Sequence, residues 1–380
     1  MKNPTEHNAI SLYIHMPWCI KKCPYCDFNS HTLQGSLPET DYIERVLEDL
    51  EQYQDTLQDR SISTIFIGGG TPSLFSGAGL KMLIDHIKKQ YPTFAQLEIT
   101  MEANPGTLEQ QRFSDFLNAG VNRLSLGIQS FNDTYLETLG RIHNSQQAIN
   151  ATSQAQQQGF DNINIDLMFG LPGQSEQQAL NDLQQAIALK PQHISWYQLT
   201  IEPNTYFNKF PPTLPENDAI ADMQLAGQNI LTKHGFIQYE ISAYAQQNKQ
   251  CQHNVNYWQY GDYLGIGAGA HSKITNNGKI HRHWNVKNPK DYLNKHKPFT
   301  QNSKTISSDE IILEYLMNRM RLYSPITAHE FIKATGKSFG DIQARLDNLI
   351  SNELITQTPT TIALTAKGHL FLNDILQAFI

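Results

Sequence analysis

Three of the four cysteines in the chain fall within one stretch, MPWCIKKCPYCDFNSH (Met16–His31), as Cys19, Cys23 and Cys26. In a cytoplasm that keeps thiols reduced, such a group is a metal or redox site before it is a disulfide framework. Structural zinc commonly takes four ligands, often as two C-x2-C pairs. Here the spacing is C-x3-C-x2-C and the fourth cysteine, Cys251, is far off. Zinc would therefore need His15 or His31 to complete its shell. Three thiolates on one loop suit a [4Fe–4S] cluster with one iron left open, which something other than cysteine must close.

Other polar residues recur where strands are expected to end. GGGTP (Gly68–Pro72) follows the second strand, Glu102 ends the third in EANPG, and Gln129 ends the fourth in GIQSF. Asp166 stands in the fifth, ahead of GLPGQ, and Gln198 in the sixth. Such side chains are costly to bury unless paired. In parallel α/β folds the strands' C-terminal ends are where ligands bind, so their recurrence there points to one common ligand. The glycines give backbone freedom and bare N–H groups for its approach. They lack the lysine of a phosphate-binding P-loop.

The elements that must position these residues alternate. SLYIH, STIFIGGG, LEITMEA, VNRLSLGIQSF, INIDLMFG and HISWYQLT read as strands. Between and after them come helical patterns: Tyr42–Tyr53 with Asp41 as its cap, Gly79–Gln90, Leu108–Gly120, Gln146–Gln158, Glu176–Leu189 and Asn217–His234. Strand–helix repetition means parallel strands and right-handed crossovers. Six units suggest a partial (β/α)6 TIM-like barrel, an α/β fold, over residues 1–235. From Gly235 the rhythm breaks into turns and short strands, with GIGAG at Gly265–Gly269, and 236–306 is expected as a linking region. Residues 307–380 give helix, helix, short hairpin, helix, a winged-helix-like order. No basic recognition face is evident there, and the net charge of -7 argues against nucleic acid as the main partner. MKNPTEHNAI carries no apolar signal run, and no apolar stretch nears the ~18 residues of a membrane span. The cytoplasm is the expected location.

YIHMPWCIKKCPYC resembles the cluster motif of the radical S-adenosylmethionine (SAM) superfamily. There the amino and carboxylate groups of SAM chelate the open iron. GGGTP, EANPG, GIQSF, GRIH and NIDLMFGLPGQ are similar, in order, to the branch of the oxygen-independent coproporphyrinogen III oxidases. The resemblance covers nearly the whole chain and implies the radical SAM type of partial barrel. It implies Cys19, Cys23 and Cys26 as cluster ligands, with Tyr13 and Tyr25 flanking the cluster and touching SAM. Gly69, Gly70 and Thr71 would hold the methionine end through backbone groups. Glu102, Gln129, Arg141, Asp166 and Gln198 would hold the amino-acid and ribose parts.

Two departures weigh against oxidase chemistry. The oxidases carry a further cysteine two residues beyond the third ligand, where this chain has Phe28, and a longer segment ahead of the first cysteine than the 18 residues found here. In addition, HNVNYW (His253–Trp258) resembles the HNxxYW motif of haem chaperones within this branch. Histidine is a common axial ligand of haem iron, and aromatic residues offer flat apolar contact. The resemblance makes His253 the expected ligand; Cys251, His271, His281 and His283 are weaker candidates. The expected function is a haem chaperone carrying a [4Fe–4S] cluster and SAM. It would pass haem to acceptor haemoproteins, membrane-bound cytochromes among them, with transient membrane-surface contact. The alternatives are a coproporphyrinogen III oxidase of porphyrin biosynthesis and a zinc-stabilised binding module. A homodimer stays open, since no heptad seam marks an interface.

Overall fold

The computed structural model describes residues 8–106 and 110–380. Six parallel strands form the centre: β1 (Ala9–Met16), β2 (Ser61–Gly69), β3 (Thr93–Ala103), β4 (Arg123–Gln129), β5 (Ile163–Phe169) and β6 (His193–Gln198). Crossover helices Glu39–Glu51, Gly77–Gln90, Phe113–Ala119, Ser145–Gln157 and Glu176–Ala188 join them, and Asn217–Lys233 follows β6. The helix expected from Leu108 begins outside the described residues. The first helix starts at Glu39 with Pro38 as its cap, so Asp41 lies in the first turn and is not the cap. The glutamines at 154–158 form a polar helix face, while Ala148, Ala151 and Ala155 point inward.

Side chains alternate across each strand. Ile10, Leu12 and Ile14 of β1 are buried, as are Ile65 and Ile67 of β2 and Leu124 and Leu126 of β4. They meet Val46, Leu50, Leu83 and Ile84 of the helices in one core. The intervening residues, Ser11, Tyr13 and His15, then Thr64, Phe66 and Gly68, then Glu98, Thr100 and Glu102, take the opposite, concave face. The register pairs Ser11 with Thr64 and Tyr13 with Phe66.

The stretch 236–306, set apart in the sequence as a linking region, adds strands to both edges of this sheet. β7 (Ile237–Glu240) and β8 (Ala243–Ala245) extend it beyond β6, with β8 antiparallel to β6. At the other edge β9 (Tyr263–Ile266) runs parallel beside β1, followed by antiparallel β10 (His271–Asn276), β11 (Lys279–Asn285) and β12 (Thr300–Thr305). The result is a 12-stranded sheet, β12-β11-β10-β9-β1-β2-β3-β4-β5-β6-β8-β7, whose end strands do not pair with each other. It is an α/β partial barrel, open as expected. Asn277 and Gly278, with φ of 49° and 72°, make the tight turn of the β10–β11 hairpin.

The C-terminal unit packs helices Ile311–Arg319, Ala328–Thr335 and Gln343–Ser351 against a small sheet of Ile326–Thr327, Thr361–Leu364 and Ile355–Gln357. Its core, built on Tyr315, Phe331 and Leu346, also takes in Tyr260 and Ile280 from the main sheet region. No helix of the described residues is long and apolar enough to cross a membrane.

The outer layer over β6 depends on one close approach. Trp196 is 2% exposed, its ring 4.2 Å from that of Phe169. A Cβ on Gly227 of the helix Asn217–Lys233 would lie 1.9 Å from Trp196. Gly227→Ala gains about 1 kcal/mol of helix propensity, but overpacking costs about 1–3 kcal/mol and the clash here is severe. The variant is expected to lower the urea midpoint and the Tm; an unchanged or raised midpoint would contradict this packing.

Candidate functional site

The C-terminal ends of the parallel strands open into two adjoining clefts. The first, of about 280 Å³, is lined by Cys19, Cys23 and Cys26, by Gly69–Thr71, by Glu102, Gln129 and Asp166 from three neighbouring strands, and by Arg141 from the connection that follows β4. Tyr25 is also on its wall and packs against the apolar cluster of Leu139, Met168 and Phe207. Of the residues expected around a common ligand here, only Tyr13 and Gln198 lie outside this cleft. Tyr13 lines the second one. Gln198 is exposed, because the strand alternation that buries Trp196 under the helix turns Gln198 the same way. Tyr197 faces the cleft in its place, and its hydroxyl donates to Gln129 Oε1 at 2.7 Å.

All three cysteines are free and partly exposed. Burial pushes the thiols of Cys19 and Cys26 up, so they stay protonated without a metal to ionise them. Arg141 donates to Cys23 Sγ at 3.5 Å, to Asn104 Oδ1 and to the Gly127 carbonyl, both at 2.6 Å. Burial alone would lower its pKa, but Tyr25 and Cys23 raise it above the ordinary arginine value. A fixed cation thus stands where an anionic thiolate cluster would sit. Among the described residues no three His, Cys, Asp or Glu side chains converge as a single metal ion requires. The histidines that could complete a zinc shell are engaged. His15 Nε2 donates to the Asn29 carbonyl at 2.9 Å, so its Nδ1 accepts from the Tyr13 hydroxyl at 2.9 Å, and His31 Nε2 lies 3.3 Å from Asn29 Oδ1. A ring of separate thiols fits the corners of a cluster better than one zinc ion.

The glycine turn differs in one respect from the sequence reading. Its N–H groups are not bare: Gly69 N–H donates to Glu102 Oε2 at 3.0 Å, Gly70 N–H to the Met16 carbonyl and Thr71 N–H to the Trp18 carbonyl, both at 2.7 Å. A ligand at this turn would therefore meet carbonyl oxygens rather than donors, and these suit an ammonium group, although the Thr71 carbonyl already accepts from Leu74 N–H at 3.1 Å. Gly69, at φ 114°, would drive a Cβ to 2.4 Å from the His15 ring, so only glycine fits. Burial pushes the Glu102 carboxyl up to about 7, with Asp166 adding to the rise and the Gly69 N–H opposing it. Asp166 is likewise raised by burial, although Asn164 and Ser125 donate to it at 2.7 and 2.9 Å. Two raised carboxyls in one cleft call for a ligand bearing a cation and hydroxyl groups. SAM has a sulfonium, an ammonium and ribose hydroxyls, so the residues fit it.

The second cleft, of about 920 Å³, shares Phe28, Ser30, Gly69 and Glu102 with the first. Its own walls bring Tyr13 and Phe66 together with His253, Tyr257, Trp258 and His271. HNVNYW lies in the helix Gln252–Trp258, and His253 is 7% exposed. Glu98 of β3 holds the start of this helix, accepting from Gln252 N–H and His253 N–H at 3.2 Å each. Cys251 is buried and does not line this cleft, and burial pushes its thiol up to about 12. His281 and His283 lie on β11, outside this cleft, where their rings stack on each other at 6.5 Å.

Sequence reasoning missed Ser125, Asn104 and Tyr197 in the first cleft, and Asn29 and Thr64 around the second. Alternation parity could have found two of them, since Glu102 registers with Ser125 and Met168 with Tyr197. Asn29 gives no such signal. It donates to the carbonyls of Ala268 and Lys287 at 2.9 Å each, tying the cysteine loop to a turn distant in sequence.

The Radical SAM superfamily model matches residues 13–186, and the HemN C-terminal domain model matches 306–371. The chain is 47% identical to "Heme chaperone HemW" of Escherichia coli (strain K12) over 98% of each chain, and 34% identical to that of Bacillus subtilis (strain 168) over 97% of this chain and 99% of the relative. Among solved structures, coproporphyrinogen III oxidase (HemN) from Escherichia coli superposes with a TM-score of 0.84 at 22% identity, over 98% of this chain and 90% of that one, a likeness of fold.

The raised Glu102 carboxyl sets a pH dependence. Between its ordinary 4.5 and about 7 the unfolded chain releases this proton while the folded chain keeps it, so stability falls as pH rises through that window. Ligand-free Glu102→Gln is expected to be about 1–3 kcal/mol more stable than the parent at pH 8, with little difference at pH 4. Urea unfolding at both pH values measures this. A variant that loses stability at pH 8 would contradict the assignment.

Proposed function

The chain belongs to the HemW family, and from that premise we propose that it is a haem chaperone whose two clefts hold different groups. Cys19, Cys23 and Cys26 would hold a [4Fe–4S] cluster in the first cleft. SAM would close the open iron there, within reach of Tyr25, the carbonyls of Gly69–Thr71, Glu102, Gln129, Arg141 and Asp166. Bound together, these groups supply one-electron chemistry at the open iron. The protein's part is to orient them, keep a cation beside the thiolates and exclude competing ligands.

Haem is the cargo of the second cleft. His253 is its proposed iron ligand, and Tyr257 and Trp258 provide apolar contact for the porphyrin plane. Acceptor haemoproteins, membrane-bound cytochromes among them, would take the haem, and hand-over would occur in the cytoplasm. The observation that carries this reading is the meeting of the two clefts: three free thiols ring one, His253 with its aromatic neighbours lines the other, and they share Phe28 and Glu102. Phe28 stands 60% exposed at the position where the oxidases carry a further cysteine, which favours the chaperone over the oxidase.

Titrating anaerobically reconstituted protein with haem, in parallel with a coproporphyrinogen decarboxylation assay, tests the reading. Stoichiometric haem binding without product is expected. Product at enzymatic turnover without haem binding would overturn it. His253→Ala is expected to weaken haem binding about tenfold or more while cluster iron stays at the parental level. Unchanged haem affinity would remove His253 from the site.

A further inference from the structure

His253 has a second contact that the haem motif itself does not contain. Thr64 lies on β2, 2% exposed, and its Oγ1 is 2.9 Å from His253 Nδ1. The same hydroxyl donates to Ser11 Oγ at 2.8 Å, across the register pair of β1 and β2. A hydroxyl has one proton to give. Because Thr64 spends it on Ser11, Oγ1 can only accept from the ring, and Nδ1 must carry the hydrogen. Nε2 then bears the lone pair. It makes no hydrogen bond to any described residue, and it is not among the buried polar atoms left without a partner, so it opens on the cleft.

The ring is also fixed in place. Glu98 anchors the His253 N–H, and the ring of Phe66 lies 5.1 Å away and that of Tyr13 6.4 Å away.

We propose that Thr64 is the positioning residue of the haem site: with Ser11 behind it, it holds His253 in the Nδ1–H form and aims the Nε2 lone pair at the iron. The inference rests on the reading of His253 as the haem ligand. Hydrogen bonding of the second ring nitrogen is how proteins generally set the tautomer and basicity of a ligating histidine, and its loss typically costs about 10–100-fold in metal affinity.

The test compares Thr64→Val, which keeps the shape but cannot accept a hydrogen bond, with Thr64→Ser, which can. Haem affinity, the haem absorption spectrum and cluster iron are read for both, with His253→Ala as the reference. Thr64→Val should weaken haem binding about tenfold and alter the spectrum toward that of His253→Ala, with cluster iron unchanged, and Thr64→Ser should restore both. Parental affinity and spectrum in Thr64→Val, with haem binding lost in His253→Ala, would overturn the role of Thr64 alone. No effect in His253→Ala would overturn the ligand reading and this inference together. Should Thr64→Val fail to fold, long-range proton–nitrogen spectra of the haem-free protein labelled at histidine decide the matter, with His253→Ala identifying the signal. An Nδ1–H tautomer is expected; an Nε2–H tautomer overturns the inference.

Discussion

Everything at the mouth of this barrel follows from the two-residue alternation of the six central strands. One set of side chains, from Ile10 through Ile65 and Leu126, seals the sheet against its helices. The other set must then face the concave side, and there it is polar: Thr64, Glu98, Glu102, Arg123, Asp166. Taking such groups out of water without partners costs several kcal/mol, on the order of 2–7 for each neutral group and more for a charge. The fold meets that cost in two ways. Deep in the half-barrel some of the groups satisfy one another: His193 Nδ1 lies 2.6 Å from Asn164 Oδ1, and Asn164 in turn donates to Asp166, while Thr100 Oγ1 and Arg123 Nε find no partner among the described residues. At the mouth they are left with unused capacity. Arg141 Nε has no hydrogen-bond partner among the described residues, and the carboxyls of Glu102 and Asp166 are pushed up by burial. What sets the mouth apart is that these groups line an open cleft, where a ligand can meet them.

The helix Gln252–Trp258 gives the same constraint a second consequence. Glu98 and Thr64 face the concave side like the residues of the first cleft, yet they bind this helix. The haem motif is thus seated inside the barrel that holds the cysteine loop, on the same strands. Asn29 makes a further link, from the cysteine loop to the turn at Gly267–Gly269, where a Cβ on Gly269 would lie 2.3 Å from its amide nitrogen. The two clefts therefore share part of their walls, and the cysteine loop is tied by hydrogen bonds to a turn beside the second.

Much of this was legible in the sequence because the signals are local. Strand–helix periodicity, the C-x3-C-x2-C spacing and polar residues at strand ends each lie within a few positions, and they located the open barrel and most of the first cleft. What escaped was non-local. The pairing of β9 with β1 joins residues about as far apart as Ser11 and Tyr263, and no local pattern announces it. Gln198, expected at the common ligand, stands one step along β6 from Tyr197, and that step exchanges the cleft for the surface. Reading the glycine turn as a donor surface overlooked that buried N–H groups find partners, here Glu102 and two carbonyls. Tyr13 went to the neighbouring cleft because β1 begins at the sheet's junction with β9, which only the assembled topology defines.

The central claim is that the two clefts carry their groups at the same time. Iron and haem counted on one anaerobically reconstituted, haem-titrated sample test it most directly. The account predicts about four non-haem irons and about one haem per chain together, with the irons lost and the haem retained when Cys19, Cys23 and Cys26 are all replaced by alanine. Haem that displaces the iron, or that is lost along with it in the triple variant, would mean a single shared site and contradict the account.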